Sequence, residues 1–131
     1  MMISTKGRYA LMIMSYLATH GQQGAVSLKD IAEHEQIGLK YLEIIIAALN
    51  KGGLVESVRG KNGGYMLKRK PEEYTILSIL SVAEGSLAPV ACVENGYKCD
   101  NLEQCRVHIL WQELDSIISD FLDSKTLADI I

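Results

Sequence analysis

Three cysteines and one histidine lie close together in a polar stretch of the chain. Cys92, Cys99, Cys105 and His108 are separated by six, five and two residues. Thiolates and neutral imidazoles are ligands for zinc and for iron–sulfur clusters. The intervening residues include glycine, asparagine and charged side chains, which is unlike the surroundings of thiols that merely pack in a core. The segment therefore predicts a metal or redox site.

The spacing of these four residues leaves three kinds of site open. Three thiolates and an imidazole form a complete tetrahedral set for zinc, although zinc sites usually contain a knuckle of two to four residues between paired cysteines. Widely spaced cysteines on a loop suit a larger group, such as an iron–sulfur cluster. A thiol redox switch without metal is the third alternative, and the odd number of cysteines fits a disulfide framework poorly. Since Cys105 and His108 are three residues apart, we expect both to project from one face at the start of a helix.

Charge divides the chain into two unequal halves. Residues 1–70 contain ten Lys and Arg against five Asp and Glu, whereas residues 71–131 contain three against eleven. The halves therefore carry +5 and −8, although the whole chain carries only −3. Six of the basic residues fall between positions 51 and 70. This asymmetry predicts that the first half contacts a polyanion.

The order of predicted elements indicates a mainly α-helical fold with one small β-hairpin. Apolar periodicity predicts helices over 5–19 and 39–51, with a shorter helix and a glycine-containing turn between them. LVESVRGKNGGYMLKR predicts two strands, over 54–59 and 65–68, around a basic glycine-rich tip. A helix-turn-helix followed directly by such a hairpin is a winged helix, which reads DNA. The alternative is a small α+β domain with an ordinary polar hairpin.

The second half is predicted to contain a long amphipathic helix from Arg106 to Asp123. Because helix-turn-helix proteins usually bind DNA as symmetric dimers, we interpret its wide apolar stripe as the interface of a homodimer. Burial inside the same domain is the alternative. We therefore divide the chain into a DNA-binding domain, 1–70, and a sensor loop with a dimerisation helix, 71–131. The predicted interface residues are Leu110, Trp111, Leu114, Ile117, Ile118 and Phe121.

The composition also limits where the protein acts. The sequence has no uncharged apolar run long enough to span a membrane, and its N-terminal apolar stretch lacks the small-residue cleavage site of a signal peptide. We therefore expect a cytoplasmic protein with no membrane partner. The sequence offers no pairing of a nucleophile with a base and no phosphate-binding loop, so we expect no enzymatic activity.

Short motifs along nearly the whole chain resemble one family of bacterial regulators. In order they are STKGRY from Ser4, YLE from Tyr41, GLV from Gly53, SVRG from Ser57, GGY from Gly63, EG from Glu84 and TLAD from Thr126. Together they resemble the IscR/NsrR/CymR family of winged-helix transcription regulators. The resemblance implies a DNA-binding regulator, and we expect a repressor.

The same resemblance implies a ligand set. In the IscR-like branch, three cysteines and a histidine hold a 2Fe–2S cluster, so Cys92, Cys99, Cys105 and His108 would be the ligands. The loop between the first two cysteines is one residue longer than is usual there. The NsrR branch takes a ligand near the N-terminus, where this chain has Arg8, which cannot bind iron. The alternatives are zinc or a thiol redox switch at the same cysteines, or a regulator of cysteine metabolism.

DNA contacts are expected from the third helix, the wing and the start of the first helix. Family members commonly carry Gln and Arg where this chain has Ile44 and Asn50, so a relative's operator cannot be transferred. Ile44 cannot hydrogen-bond a base edge, although it can contact a thymine methyl group. We expect a palindromic site in double-stranded DNA. Lys40, Tyr41 and Glu43 are predicted near the major groove, Arg59 in the minor groove, and Lys6, Arg8 and Lys61 at phosphates.

Overall fold

Side-chain caps mark the start of three of the five α-helices in the computed structural model, which describes residues 3–131. The side chains of Ser4, Ser27 and Thr75 each accept a hydrogen bond from the backbone N–H three residues later, at 3.3, 3.1 and 3.0 Å. Such caps satisfy N–H groups that the first turn of a helix leaves without partners. The helices are α1 (Thr5–His20), α2 (Leu28–Glu35), α3 (Leu39–Lys51), α4 (Ile76–Glu84) and α5 (His108–Ser124).

One antiparallel hairpin follows α3, with strands β1 (Val55–Val58) and β2 (Gly64–Leu67). Strand β1 is shorter than predicted, because the register pairs only four residues, from Val55 opposite Leu67 to Val58 opposite Gly64. Strand β2 has the predicted length but begins one residue earlier than predicted. The mainly α-helical fold with a small hairpin is confirmed. Short 3-10 turns complete the order at Gly21–Gln23, Pro71–Glu73, Ala91–Val93, Leu102–Gln104 and Leu127–Ile130.

The hydrophobic core joins the first four helices. On α3, Leu42, Ile45, Ile46 and Leu49 are buried, and their helical spacing places them on one side of the helix. They pack in one cluster with the buried faces of α1 and α4, and Leu127 near the C-terminus joins them. Residues after position 70 therefore contribute to the same core as the helix-turn-helix. The division of the chain at residue 70 stays a prediction.

The hairpin is attached to the helices at both of its ends. Val26 and Tyr65 exchange two backbone hydrogen bonds, of 2.9 and 2.8 Å, which fix β2 against the segment that leads into α2. Gly64 has a φ of +155°, and a Cβ atom there would collide with the backbone of Val26. Only glycine fits this close approach.

Tyr74 holds the other end of the hairpin. Its ring is buried, and its hydroxyl donates to the carbonyl oxygen of Leu54 at 2.7 Å. The phenol oxygen of Tyr74 also accepts hydrogen bonds from the backbone N–H groups of Lys68 and Arg69, at 3.0 and 3.1 Å. One phenol thus joins the residue before β1 to the residues after β2.

The long helix α5 begins at His108, two residues later than predicted. Consequently Cys105 lies outside the helix, and the expectation that it shares a helical face with His108 is wrong. The preceding Leu102–Gln104 turn closes with a hydrogen bond from the N–H of Cys105, whose own backbone is extended. None of the residues of α5 is buried, although the helix packs on α4. Among the described residues, no helix is long and apolar enough to cross a membrane.

Candidate DNA interface and cysteine site

The exposed side of α3 carries the side chains predicted to meet the major groove. Lys40, Tyr41 and Glu43 are all exposed. Ile44, the next residue along the helix, is 58% exposed. The opposite side of the helix is buried in the core, so the helix is held rigidly with this face outward. An α-helix presented in this way fits the width of the major groove.

The N-terminus of α1 lies beside the start of α3. The rings of Tyr9 and Tyr41 meet edge to face, with their centroids 5.8 Å apart. Arg8 is exposed and its guanidinium donates to the hydroxyl of Thr5 at 3.1 Å, while Lys6 is half-buried. The first turns of α1, which bear Lys6 and Arg8, therefore adjoin the N-terminal end of α3.

The tip of the wing presents two further cations. Arg59 and Lys61 are exposed in the turn between β1 and β2, which is closed by a 3.1 Å hydrogen bond from the N–H of Gly63 to the carbonyl of Gly60. By contrast, the Arg69 guanidinium stacks over the ring of Tyr74, 4.7 Å from its centroid. Arg69 is thus engaged within the protein, whereas Arg59 and Lys61 form no salt bridge or cation–π contact with any of the described residues.

Two of the three cysteines and the histidine line one cavity of about 360 Å³ between α5 and the cysteine segment, residues 92–108. The three cysteines are half-buried and unpaired. The Nδ1 atom of His108 is buried and has no hydrogen-bond partner. A buried nitrogen without a partner is costly, so this atom is suited to a ligand. The cavity is lined by Cys92, Val93, Glu94, Tyr97, Cys99, Leu102, His108, Gln112 and Asp115.

Cys105 is the predicted ligand that this cavity does not include. It is half-buried, in the irregular stretch between the Leu102–Gln104 turn and α5. Within residues 3–131, no three His, Cys, Asp or Glu side chains are grouped closely enough to hold a metal ion. The donor types fit an iron–sulfur cluster or zinc, but a full set of four requires Cys92, Cys99 and His108 to come closer together and Cys105 to join them.

The structure adds two residues that the sequence did not single out at this site. Gln112 and Asp115 follow His108 by four and seven residues on α5 and line the same cavity. This spacing places all three on one side of the helix. A search for polar residues in register with His108 could have found them.

Glu84, the last residue of α4, connects the end of that helix to the N-terminal end of α1. Its Oε1 accepts from the backbone N–H and the hydroxyl of Ser4, at 2.9 and 2.7 Å. Gly7 provides the space, because a Cβ atom there would collide with this carboxylate. A carboxylate also favours the positive end of the helix dipole. Glu84 belongs to a motif noted in the sequence, but its contact across 80 residues left no local signal.

The side of α5 that faces away from the cavity is apolar and exposed. Its residues recur at alternating steps of three and four, the spacing of a coiled-coil seam. Of the other predicted interface residues, Trp111 and Ile118 are half-buried by their own chain. The exposed stripe consists of Val107, Leu110, Leu114, Ile117 and Phe121, which are 49, 54, 37, 65 and 58% exposed.

A rigid helix-turn-helix, a basic hairpin attached to it and an adjoining segment with thiols define a winged-helix regulator of transcription. Comparison with known proteins gives the family. Residues 3–131 match the model of Rrf2, described as an iron-dependent transcriptional regulator. The chain belongs to this family, which confirms the resemblance seen in its motifs, and it is a DNA-binding transcription regulator of the IscR type rather than an enzyme.

Relatives in sequence and in structure agree with this assignment. The regulator IscR of Erwinia tasmaniensis is 38% identical over the whole chain and 79% of its own length, and that of Aliivibrio salmonicida is 40% identical over the whole chain and 77% of its length. Among solved structures, CymR, the global cysteine regulator of B. subtilis, has a TM-score of 0.79 at 38% identity, covering 99% of this chain and 95% of that one. T. potens IscR has a TM-score of 0.77 at 39% identity, with 99% and 85% covered.

Proposed function

We propose that this protein is a cytoplasmic homodimeric repressor whose preference for palindromic DNA depends on a 2Fe–2S cluster held by Cys92, Cys99, Cys105 and His108. The observation that carries the proposal is the cavity shared by two of the thiols and the unpartnered Nδ1 of His108. A cluster bound there would supply a group that gains or loses an electron and can be lost altogether.

The chain's own residues would carry this signal to DNA by two short routes. The cysteine segment follows α4, whose last residue, Glu84, caps the end of α1 that bears Lys6 and Arg8. It ends at His108, the first residue of α5, and the apolar stripe of α5 is proposed to form the dimer. Gathering the thiols around a cluster would pull on both ends of this segment, the end near α4 and the end at α5. The spacing of the two DNA-reading faces in a dimer would change with it.

The DNA contacts of individual residues are part of the same proposal. Lys40, Tyr41 and Glu43 would approach base edges in the major groove, and Glu43 can accept from a cytosine amino group. Arg59 would enter the minor groove from the wing, where a narrow A·T groove has enhanced negative potential. Phosphates would be met by Lys6, Arg8 and Lys61.

Zinc at the same residues is the second candidate, because a set of three thiolates and one imidazole fits that ion equally well in type. Anaerobic purification separates the two. We expect visible absorption bands with iron and sulfide in equal amounts for the cluster. A colourless protein with one zinc per chain would favour the second candidate, and a metal-free protein would leave a thiol switch.

Variants test the ligand set. We expect His108→Ala to hold the group poorly, whereas His34→Ala should have no effect, because the side chain of His34 is 59% exposed and lies outside the cavity. Since no cysteine belongs to the core, replacing all three by Ala should leave a folded protein with altered DNA preference. Global unfolding of the triple variant would instead indicate a structural metal.

A further inference from the structure

The centre of the exposed face of α3 is apolar. Lys40, Ile44, Ala47 and Lys51 follow one another at steps of four, three and four residues, which aligns them along one side of the helix. All four are exposed, and this line lies directly opposite the buried residues of α3. The two lysines therefore stand at its ends and the two apolar side chains at its middle.

The fold gives Ile44 no packing role. It is 58% exposed and is absent from the core and from the hydrophobic residues packed against it. A single exposed isoleucine is ordinary on a protein surface. Its position is informative here because the proposed function directs this face into the major groove, where hydrogen-bonding side chains are the usual readers of sequence. Of the residues proposed to approach base edges, Tyr41 and Glu43 lie on the flanks of the line and Lys40 lies at its end.

We infer that Ile44 and Ala47 read the methyl groups of two neighbouring thymines. This inference rests on the proposed function, since it requires α3 to enter the major groove. Thymine is the base that presents a methyl group there. Residues three apart are separated by about 4.5 Å along a helix, which is close to the rise of about 3.4 Å between base pairs. The short side chain of Ala47 lets the helix approach closely, and Ile44 fills the larger gap beside it.

The test begins with selection of DNA sequences from random duplexes by the full-length protein at one fixed salt concentration. We expect each selected half-site to contain two adjacent thymines on one strand. Each thymine is then replaced singly by deoxyuridine, which removes the methyl group and keeps every hydrogen bond. Loss of one buried methyl group should weaken binding roughly threefold to fivefold.

Three variants assign the effect to its residue. In Ile44→Ala, one of the two deoxyuridine effects should vanish, because the contact is already missing. Ile44→Gln should select a different base at that position, since it adds hydrogen-bonding capacity. Ile109→Ala is the matched control, because Ile109 is 65% exposed on α5 and away from α3; it should behave like the unchanged protein.

The outcomes distinguish failure of the proposed function from failure of the inference about thymine methyl groups. Absence of any enriched sequence would refute the proposed function, including the entry of α3 into the groove. Enriched sequences that bind equally well with uracil in place of every thymine would overturn this inference alone. So would deoxyuridine effects that persist undiminished in Ile44→Ala.

Discussion

Replacing Tyr74 by Phe should destabilise the protein far more than the loss of one surface hydroxyl. The Tyr74 hydroxyl donates to the carbonyl of Leu54 and accepts from the N–H groups of Lys68 and Arg69, all within 2.7–3.1 Å. Leu54 is 4% exposed and the Tyr74 side chain 1% exposed, so water cannot readily replace the lost oxygen. The substitution keeps the ring and removes only these three hydrogen bonds.

The expected cost follows from the groups left without partners. A buried polar group that loses its partner costs about 1–3 kcal/mol. The carbonyl of Leu54 should carry this cost in full and the two less buried N–H groups only in part, which gives about 2–4 kcal/mol of unfolding free energy in total. For a chain of this length that corresponds to a fall in melting temperature of roughly 8–16 °C.

Denaturant titration at equal protein concentrations measures this cost. Tyr65→Phe is the matched control, because Tyr65 lies in the same hairpin and its hydroxyl has no hydrogen bond within the described residues. We expect the control to change the unfolding free energy by less than about 0.5 kcal/mol. If Tyr74→Phe costs no more than the control, the hairpin is not held by this phenol and the reasoning fails.

Two further predictions concern partners. Arg59→Ala should weaken DNA binding and lower the slope of log affinity against log salt by about one, with the largest loss of affinity at narrow A·T sites. Fluorescence anisotropy measures both quantities. Lys98→Ala is the control, because Lys98 is exposed and lies in the acidic half of the chain. Leu114→Lys with Ile117→Lys should convert a dimer to a monomer in sedimentation, whereas Glu113→Lys should not; a monomeric unchanged protein would contradict the interface.

Helices and wing were predictable because their signals are local. The burial of Leu42, Ile45, Ile46 and Leu49 follows from helical spacing, and Ser4 and Thr75 cap helices as their residue types indicate. The hairpin followed from its glycines, although β1 proved shorter than predicted and β2 lies one residue earlier in the chain.

The contacts that were missed join residues far apart in the sequence. The residues around Tyr74 in the sequence do not indicate that its hydroxyl contacts Leu54. Likewise, those around Glu84 do not indicate that its carboxylate contacts Ser4. The error at Cys105 has a different cause. Helical spacing was extended across Arg106 and Val107, but α5 begins only at His108, with no side chain capping it. Register arguments hold only inside a helix, so they failed at its boundary.

The two sides of α5 explain how one helix can link the cavity to the proposed dimer interface. His108, Gln112 and Asp115 line the cavity, and Leu114 and Ile117 lie on the exposed stripe on the far side. A packed helix moves as a rigid element, so it cannot turn at the cavity without moving the stripe. A coupling of about 1–3 kcal/mol, typical of such linkages, changes DNA affinity roughly fivefold to 150-fold. Under the proposed function, rearranging the cysteine segment therefore needs to move α5 only slightly to alter which DNA sites the dimer prefers.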